Sequence, residues 1–107
     1  MASTPEKLVK DQIKKCLDKY ENLWYFFPVA SRYSAAGTPD IIGTYQGKFF
    51  GIEVKAKGKP TALQLRAIAA IIAAGGRAGI VKPSTLLSID QQVRNLLECP
   101  HHSPEHI

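Results

Sequence analysis

The stretch "TPDIIGTYQGKFFGIEVK", residues 38–55, decides the fold. Two β-rich runs, "DIIGTY" and "KFFGIEVK", flank Gln46-Gly47 and read as an antiparallel hairpin, although Gln is not the favoured first turn residue. With a two-residue turn, Tyr45 faces Lys48, and counting back along both strands sets Asp40 opposite Glu53. A three-residue loop would shift the register by one and leave the two acids diagonal neighbours. Directly opposed residues have Cβ atoms roughly 4.5–5.5 Å apart, so two carboxylates there repel each other. Acids at the ends of apolar strands need a partner, and a divalent cation supplies one. Period-two alternation puts Lys55 on the face of Glu53, with Gly51 beside them leaving space for a ligand to approach.

Working outward, "TALQLRAIAAIIAAGG" (61–76) opens with Thr61 three residues before Gln64, a capping pattern, and stops at paired glycines. It is apolar nearly all round apart from Gln64 and Arg66, which predicts a helix buried against the sheet. "RAGIVK" (77–82) is a short fourth strand, and "PSTLLSIDQQVRNLLE" (83–98) has the spacing of a last helix. On the N-terminal side, "STPEKLVKDQIKKCLDKYE" (3–21) is an amphipathic helix, with Ser3 and Glu6 spaced as a capping box. "LWYFFPV" (23–29) is a strand ended near an edge by Pro28, and "ASRYSAAGTP" (30–39) is a loop with room to move. The order helix, three strands, helix, strand, helix predicts an α/β fold with a small mixed sheet flanked by helices. One domain spans 1–98, and "CPHHSPEHI" (99–107) is a flexible tail.

A chain of 107 residues, 45% of them hydrophobic, suits one modest core. No run approaches a membrane span and the N-terminus lacks the apolar stretch of a secretory signal, so the expected location is intracellular, with no membrane partner. Cys16 and Cys99 show neither zinc spacing nor disulfide density. His101, His102 and His106 with Cys99 have a spacing unlike a zinc finger and are read as part of the tail. The net charge of +5 is unevenly spread. Residues 22–89 hold eight bases (Arg32, Lys48, Lys55, Lys57, Lys59, Arg66, Arg77, Lys82) against two acids, Asp40 and Glu53, whereas the flanks balance or reverse this. The centre is either built to meet a polyanion or is a solvated basic face.

Two carboxylates with waters and a backbone carbonyl form the incomplete oxygen shell that Mg²⁺ prefers, leaving positions for a substrate phosphate. Lys55 would position water or stabilise transition-state charge. The alternative is structural, with Asp40 capping the turn after Thr38-Pro39 and Glu53 pairing with Lys55 or Lys57 at a sheet edge.

Pro39-Asp40 followed by Glu53-Val54-Lys55 after a hairpin resembles the signature of the PD-(D/E)XK nuclease superfamily. The closer similarity is to the virus-type replication-repair nuclease (VRR-NUC) family, carried by Gly37 before Pro-Asp-Ile, the "IEVK" of Ile52 to Lys55, Gln64 opening the next helix, and "AGG" at 74–76. The resemblance spans roughly residues 4–90 and implies a restriction-endonuclease-like core. It implies that Asp40 and Glu53, joined by the Val54 carbonyl, bind Mg²⁺ or Mn²⁺, that Lys55 is the catalytic lysine, and that Gln64 assists. It also makes Glu6 a candidate catalytic acid on the first helix, against the competing role of a cap. Stand-alone members resemble Holliday-junction resolvases, which implies a structure-selective DNA endonuclease on branched DNA, acting as a homodimer in the cytoplasm or nucleoid of a bacterial or virus-infected cell. The rivals are a monomeric flap or single-strand nuclease and a non-catalytic DNA-binding module. Arg32, Tyr33, Lys57 and Lys59 are the candidate DNA contacts. The last helix, through Leu86, Leu87, Ile89, Val93, Leu96 and Leu97, is either a dimer surface or packed on its own sheet.

Overall fold

The central hairpin closes through Gln46 (φ 53°) and Gly47 (φ 79°), both left-handed, so the turn is a two-residue type I′ connection whose twist matches its strands. The computed structural model describes residues 4–29 and 37–98. Along them run α1 (Pro5–Leu17), β1 (Leu23–Phe26), β2 (Ile41–Tyr45), β3 (Lys48–Val54), α2 (Ala62–Ala73), β4 (Arg77–Val81) and α3 (Ile89–Glu98), in the predicted order. The register runs from Tyr45 opposite Lys48 to Ile41 opposite Ile52, as the two-residue turn requires. β1 is antiparallel to β2, and β4 lies parallel to β3. The sheet order β1-β2-β3-β4 leaves β1 and β4 as its edges. A parallel neighbour needs a crossover, which α2 provides between β3 and β4.

Alternation along β3 divides the molecule into two layers. Phe50, Ile52 and Val54, with Ile41 and Val81, face Val9, Ile13 and Leu17 of α1 and Val93, Leu96 and Leu97 of α3. Each of these side chains gains about 1.5–3 kcal/mol from leaving water, so this face is the stabilising core. The other face of β3 carries Phe49, Gly51 and Glu53, and α2 lies over β3 and β4 there.

Thr4, not Ser3, caps α1: its hydroxyl accepts the Lys7 N–H at 3.1 Å, and Pro5 follows. The expected Ser3–Glu6 capping box therefore does not hold Glu6, and Ser3 itself lies outside the described residues.

Two expectations about the helices are corrected. None of α2 is buried, and Leu63 and Leu65 are 48% and 49% exposed. A single helix laid over two strands buries one side only, whatever the composition of the other. α3 begins at Ile89 rather than near Pro83 because two serines divert the preceding backbone. Ser84 Oγ accepts the N–H groups of Leu86 and Leu87 at 3.0 and 3.4 Å, closing a local turn, and Ser88 Oγ accepts that of Gln91 where the helix starts. Leu86 is left 90% exposed, while Val93, Leu96 and Leu97 pack on the chain's own sheet. Of the residues considered for the last helix, Val93, Leu96 and Leu97 serve the core and Ile89 packs against it, whereas Leu86 and Leu87 stay exposed ahead of the helix.

Candidate active site

Asp40 lies one residue before β2, and continuing the observed register sets it across from Glu53. Its carboxylate extends the ladder in place of backbone: Asp40 Oδ2 accepts the Val54 N–H at 2.8 Å. Gly37 (φ 81°) fixes the approach of this segment. A Cβ at Gly37 would collide with the Leu63 carbonyl in the first turn of α2, so only glycine allows the chain so close to that helix. The same contact ties the Asp40 segment to the helix that carries Gln64.

Glu53 is the one charged side chain buried among the described residues, at 3% exposure. It does not pair with Lys55 or Lys57, as the structural alternative required; Gln64 Nε2 donates to Glu53 Oε2 at 2.7 Å. Gln64 completes its capping box at the same time, with its Oε1 accepting the Thr61 N–H at 2.8 Å and its own N–H donating to Thr61 Oγ1. The cap orients the amide and the amide holds the acid, so the two roles weighed for Gln64 coexist.

Burial raises the Glu53 carboxyl from 4.5 to about 7, reinforced by the charge of Asp40, a hydrogen bond with Asp40 and the charge of Glu6, and opposed by Lys55. Near neutral pH the Asp40–Glu53 pair therefore retains a proton for part of the time. Lys55 is half-buried and acts on Glu53 by charge, without an ion pair among the described residues.

Sequence reasoning missed Lys10. Its ammonium sits 3.2 Å from Glu6 Oε2 and 3.8 Å from Asp40 Oδ1, linking the start of α1 to the strand ends. The spacing of Glu6 and Lys10 by four residues was visible, but the approach of Lys10 to Asp40 is tertiary. Glu6, free of any capping role, stands beside the site through Lys10.

Gly51 corrects another expectation. A Cβ there would lie 2.9 Å from Pro39 Cγ and 3.2 Å from Ile71 Cδ1, so its missing side chain accommodates this packing rather than leaving ligand space. Arg32 and Tyr33 lie outside the described residues, as do the loop 30–36, Cys99 and the tail histidines. Lys57 and Lys59 are exposed just beyond β3.

The seven described bases of the central segment (Lys48, Lys55, Lys57, Lys59, Arg66, Arg77 and Lys82) form no ion pair among the described residues. The ion-paired bases are Lys7, Lys10, Lys19 and Arg94, all on or beside α1 and α3. The ion pairs thus gather on or beside α1 and α3, where Lys14 and Lys15 alone of the α1 bases lack one among the described residues, and none involves a base of the central segment.

The donor set fits a hard divalent cation. Two carboxylates are held together, one in a place where burial penalises its charge, and a cation would take over the work of the retained proton. No group of three or more His, Cys, Asp or Glu side chains able to hold a metal occurs among the described residues, so a backbone carbonyl and solvent would have to complete the shell. No helix among them is long and apolar enough to cross a membrane. No protein-family model and no curated protein matches this chain.

Proposed function

We propose that this chain is a metal-dependent, structure-selective DNA endonuclease of the VRR-NUC type, built on a restriction-endonuclease-like core. The observation that carries the reading is the convergence of Asp40 and Glu53 at the strand ends, with Glu53 fixed by Gln64 and influenced by Lys55. Burial alone accounts for an amide on Glu53, but a structural pair of acids has no need of a rim of unpaired bases around it.

Asp40, Glu53 and the Val54 carbonyl would hold Mg²⁺ or Mn²⁺. When bound, such an ion polarises a phosphoryl oxygen and acidifies water, which phosphodiester hydrolysis needs. Glu53 would hold such an ion as the ionised carboxylate, its proton released to solvent. Lys55 Nζ donates to the attacking water or to a non-bridging phosphate oxygen as charge grows there. Gln64 keeps Glu53 in one rotamer, and Glu6 with Lys10 sets the charge beside Asp40. Lys57 and Lys59 hold the phosphate backbone. A branched substrate and a homodimer with two sites related by a two-fold axis follow from the family resemblance, since a symmetric pair cuts two strands together.

Calorimetric titration with Mn²⁺ of the wild type and of Asp40→Ala tests the site: binding is expected in the first and lost in the second. Equal, negligible binding by both removes the basis for catalysis. Labelled junction, flap and duplex DNA incubated with Mg²⁺ separate the enzyme readings, with junction cutting expected from the wild type and none from Lys55→Ala. Equal cutting of all three substrates would sink the resolvase reading.

A further inference from the structure

On the face of the sheet that carries Glu53, α2 lies over β3 and β4, and among the described residues no helix packs extensively over the half belonging to β1 and β2. Trp24 stands opposite Thr44, which stands opposite Phe49; Phe26 stands opposite Ile42, which stands opposite Gly51. Strand alternation therefore puts Trp24, Phe26 and Phe49 on the same face as Asp40 and Glu53. All three aromatics are exposed, at 60%, 42% and 45%. The Trp24 and Phe26 rings lie 5.3 Å apart at 52°, splayed rather than stacked on each other.

Large aromatics exposed together mark a surface with a partner. Charge identifies the class. Lys55, on the face of Glu53 by alternation, and the exposed Lys57 and Lys59 follow the end of β3, none of them ion-paired among the described residues. Exposed aromatic side chains on a face that ends in unneutralised bases suit an occupant that is flat, apolar and tied to negative charge. Unpaired nucleotides have those properties, whereas duplex DNA presents its bases only as edges in the grooves.

We infer that Trp24, Phe26 and Phe49 form a stacking platform for unpaired bases, which selects DNA with single-stranded character and leads its backbone toward Asp40 and Glu53. The inference rests on the metal-dependent nuclease reading above and takes the substrate class from this face: branched DNA that carries unpaired nucleotides, such as a flap, which a fully paired four-way junction lacks. Pro39 and Ile71, packed over Gly51, stand between platform and acids, so stacked bases and the phosphate at the acids belong to different nucleotides.

Trp24 is the single tryptophan of the chain, so it reports on its own surface. Titration of the full chain with an oligo-dT of about twelve nucleotides, in EDTA at low salt, should quench its emission saturably. Duplex of equal length should quench far less. Phe49→Ala and Phe26→Ala keep the reporter and should each weaken oligo-dT binding about tenfold, read by anisotropy of a labelled strand, with unchanged thermal unfolding. Absence of quenching, or wild-type affinity in both variants, overturns the inference. So does shielding of Trp24 from acrylamide in the free protein, or a concentration-dependent emission shift with dimer formation in the absence of DNA, which would make this face a subunit contact. The two readings fail separately: quenching by oligo-dT without Mg²⁺-dependent cleavage of any substrate refutes the nuclease and keeps the platform, and cleavage without quenching does the reverse.

Discussion

Glu53→Gln separates the electrostatics of the site from any assumption about catalysis. The glutamine amide keeps the shape of the protonated carboxyl and can still accept the Gln64 Nε2 hydrogen bond, but it cannot ionise. The folded chain holds the Glu53 proton more tightly than the unfolded chain, with the carboxyl raised from 4.5 to about 7. This contribution to stability is complete below about pH 4.5 and is lost as the pH rises through about 7. At 1.36 kcal/mol per pH unit the loss is about 3 kcal/mol. Urea unfolding in EDTA, followed by Trp24 emission at pH 5 and pH 8, should show variant and wild type close in stability at pH 5. At pH 8 the variant should be more stable by about 3 kcal/mol, or roughly 12 °C in Tm at about 4 °C per kcal/mol. Equal pH dependence of the two proteins would refute the reasoning, because burial beside Asp40 would then carry no cost. Mn²⁺ at pH 8 should stabilise the wild type alone.

Gln64→Ala removes the amide donor to the buried Glu53 carboxylate together with half of a capping box, and should lower stability by about 1–3 kcal/mol and DNA cleavage with it. Thr61→Ala, which loses only the cap, should cost about 1 kcal/mol in thermal unfolding. Gly37→Ala meets the Leu63 carbonyl and a left-handed backbone together, so Mn²⁺ affinity by calorimetry should fall even where the chain still folds. Gln46→Asn places a residue that tolerates positive φ at the first position of the type I′ turn and should raise stability by a few tenths to about 1 kcal/mol in urea titration.

The hairpin and its register were legible because strand alternation and turn length leave little freedom once Tyr45 and Lys48 are paired. The convergence of Asp40 and Glu53 followed from that pairing. Lys10 was not legible, because nothing local states that α1 crosses the strand ends. Gly51 misled for the same reason, its absent side chain being filled by Pro39 and Ile71 from distant segments. The start of the last helix was placed too early because Leu86 and Leu87 fit a helical stripe, whereas the hydroxyls of Ser84 and Ser88 capture nearby N–H groups and delay it. The apolar sequence of α2 suggested burial, but composition cannot say whether a second layer exists to cover its outer side.

Among the described residues no strand pairs with the outer side of β4, where Gln92 already holds the backbone of Lys82, and its flanking residues govern what can join it. A second copy laid antiparallel along it would bring Arg77 and Lys82 of one chain against Lys82 and Arg77 of the other, and like charges so opposed discourage a continuous ribbon across molecules. The same two cations that guard against fibre growth would welcome an extended segment bearing carboxylates at its ends.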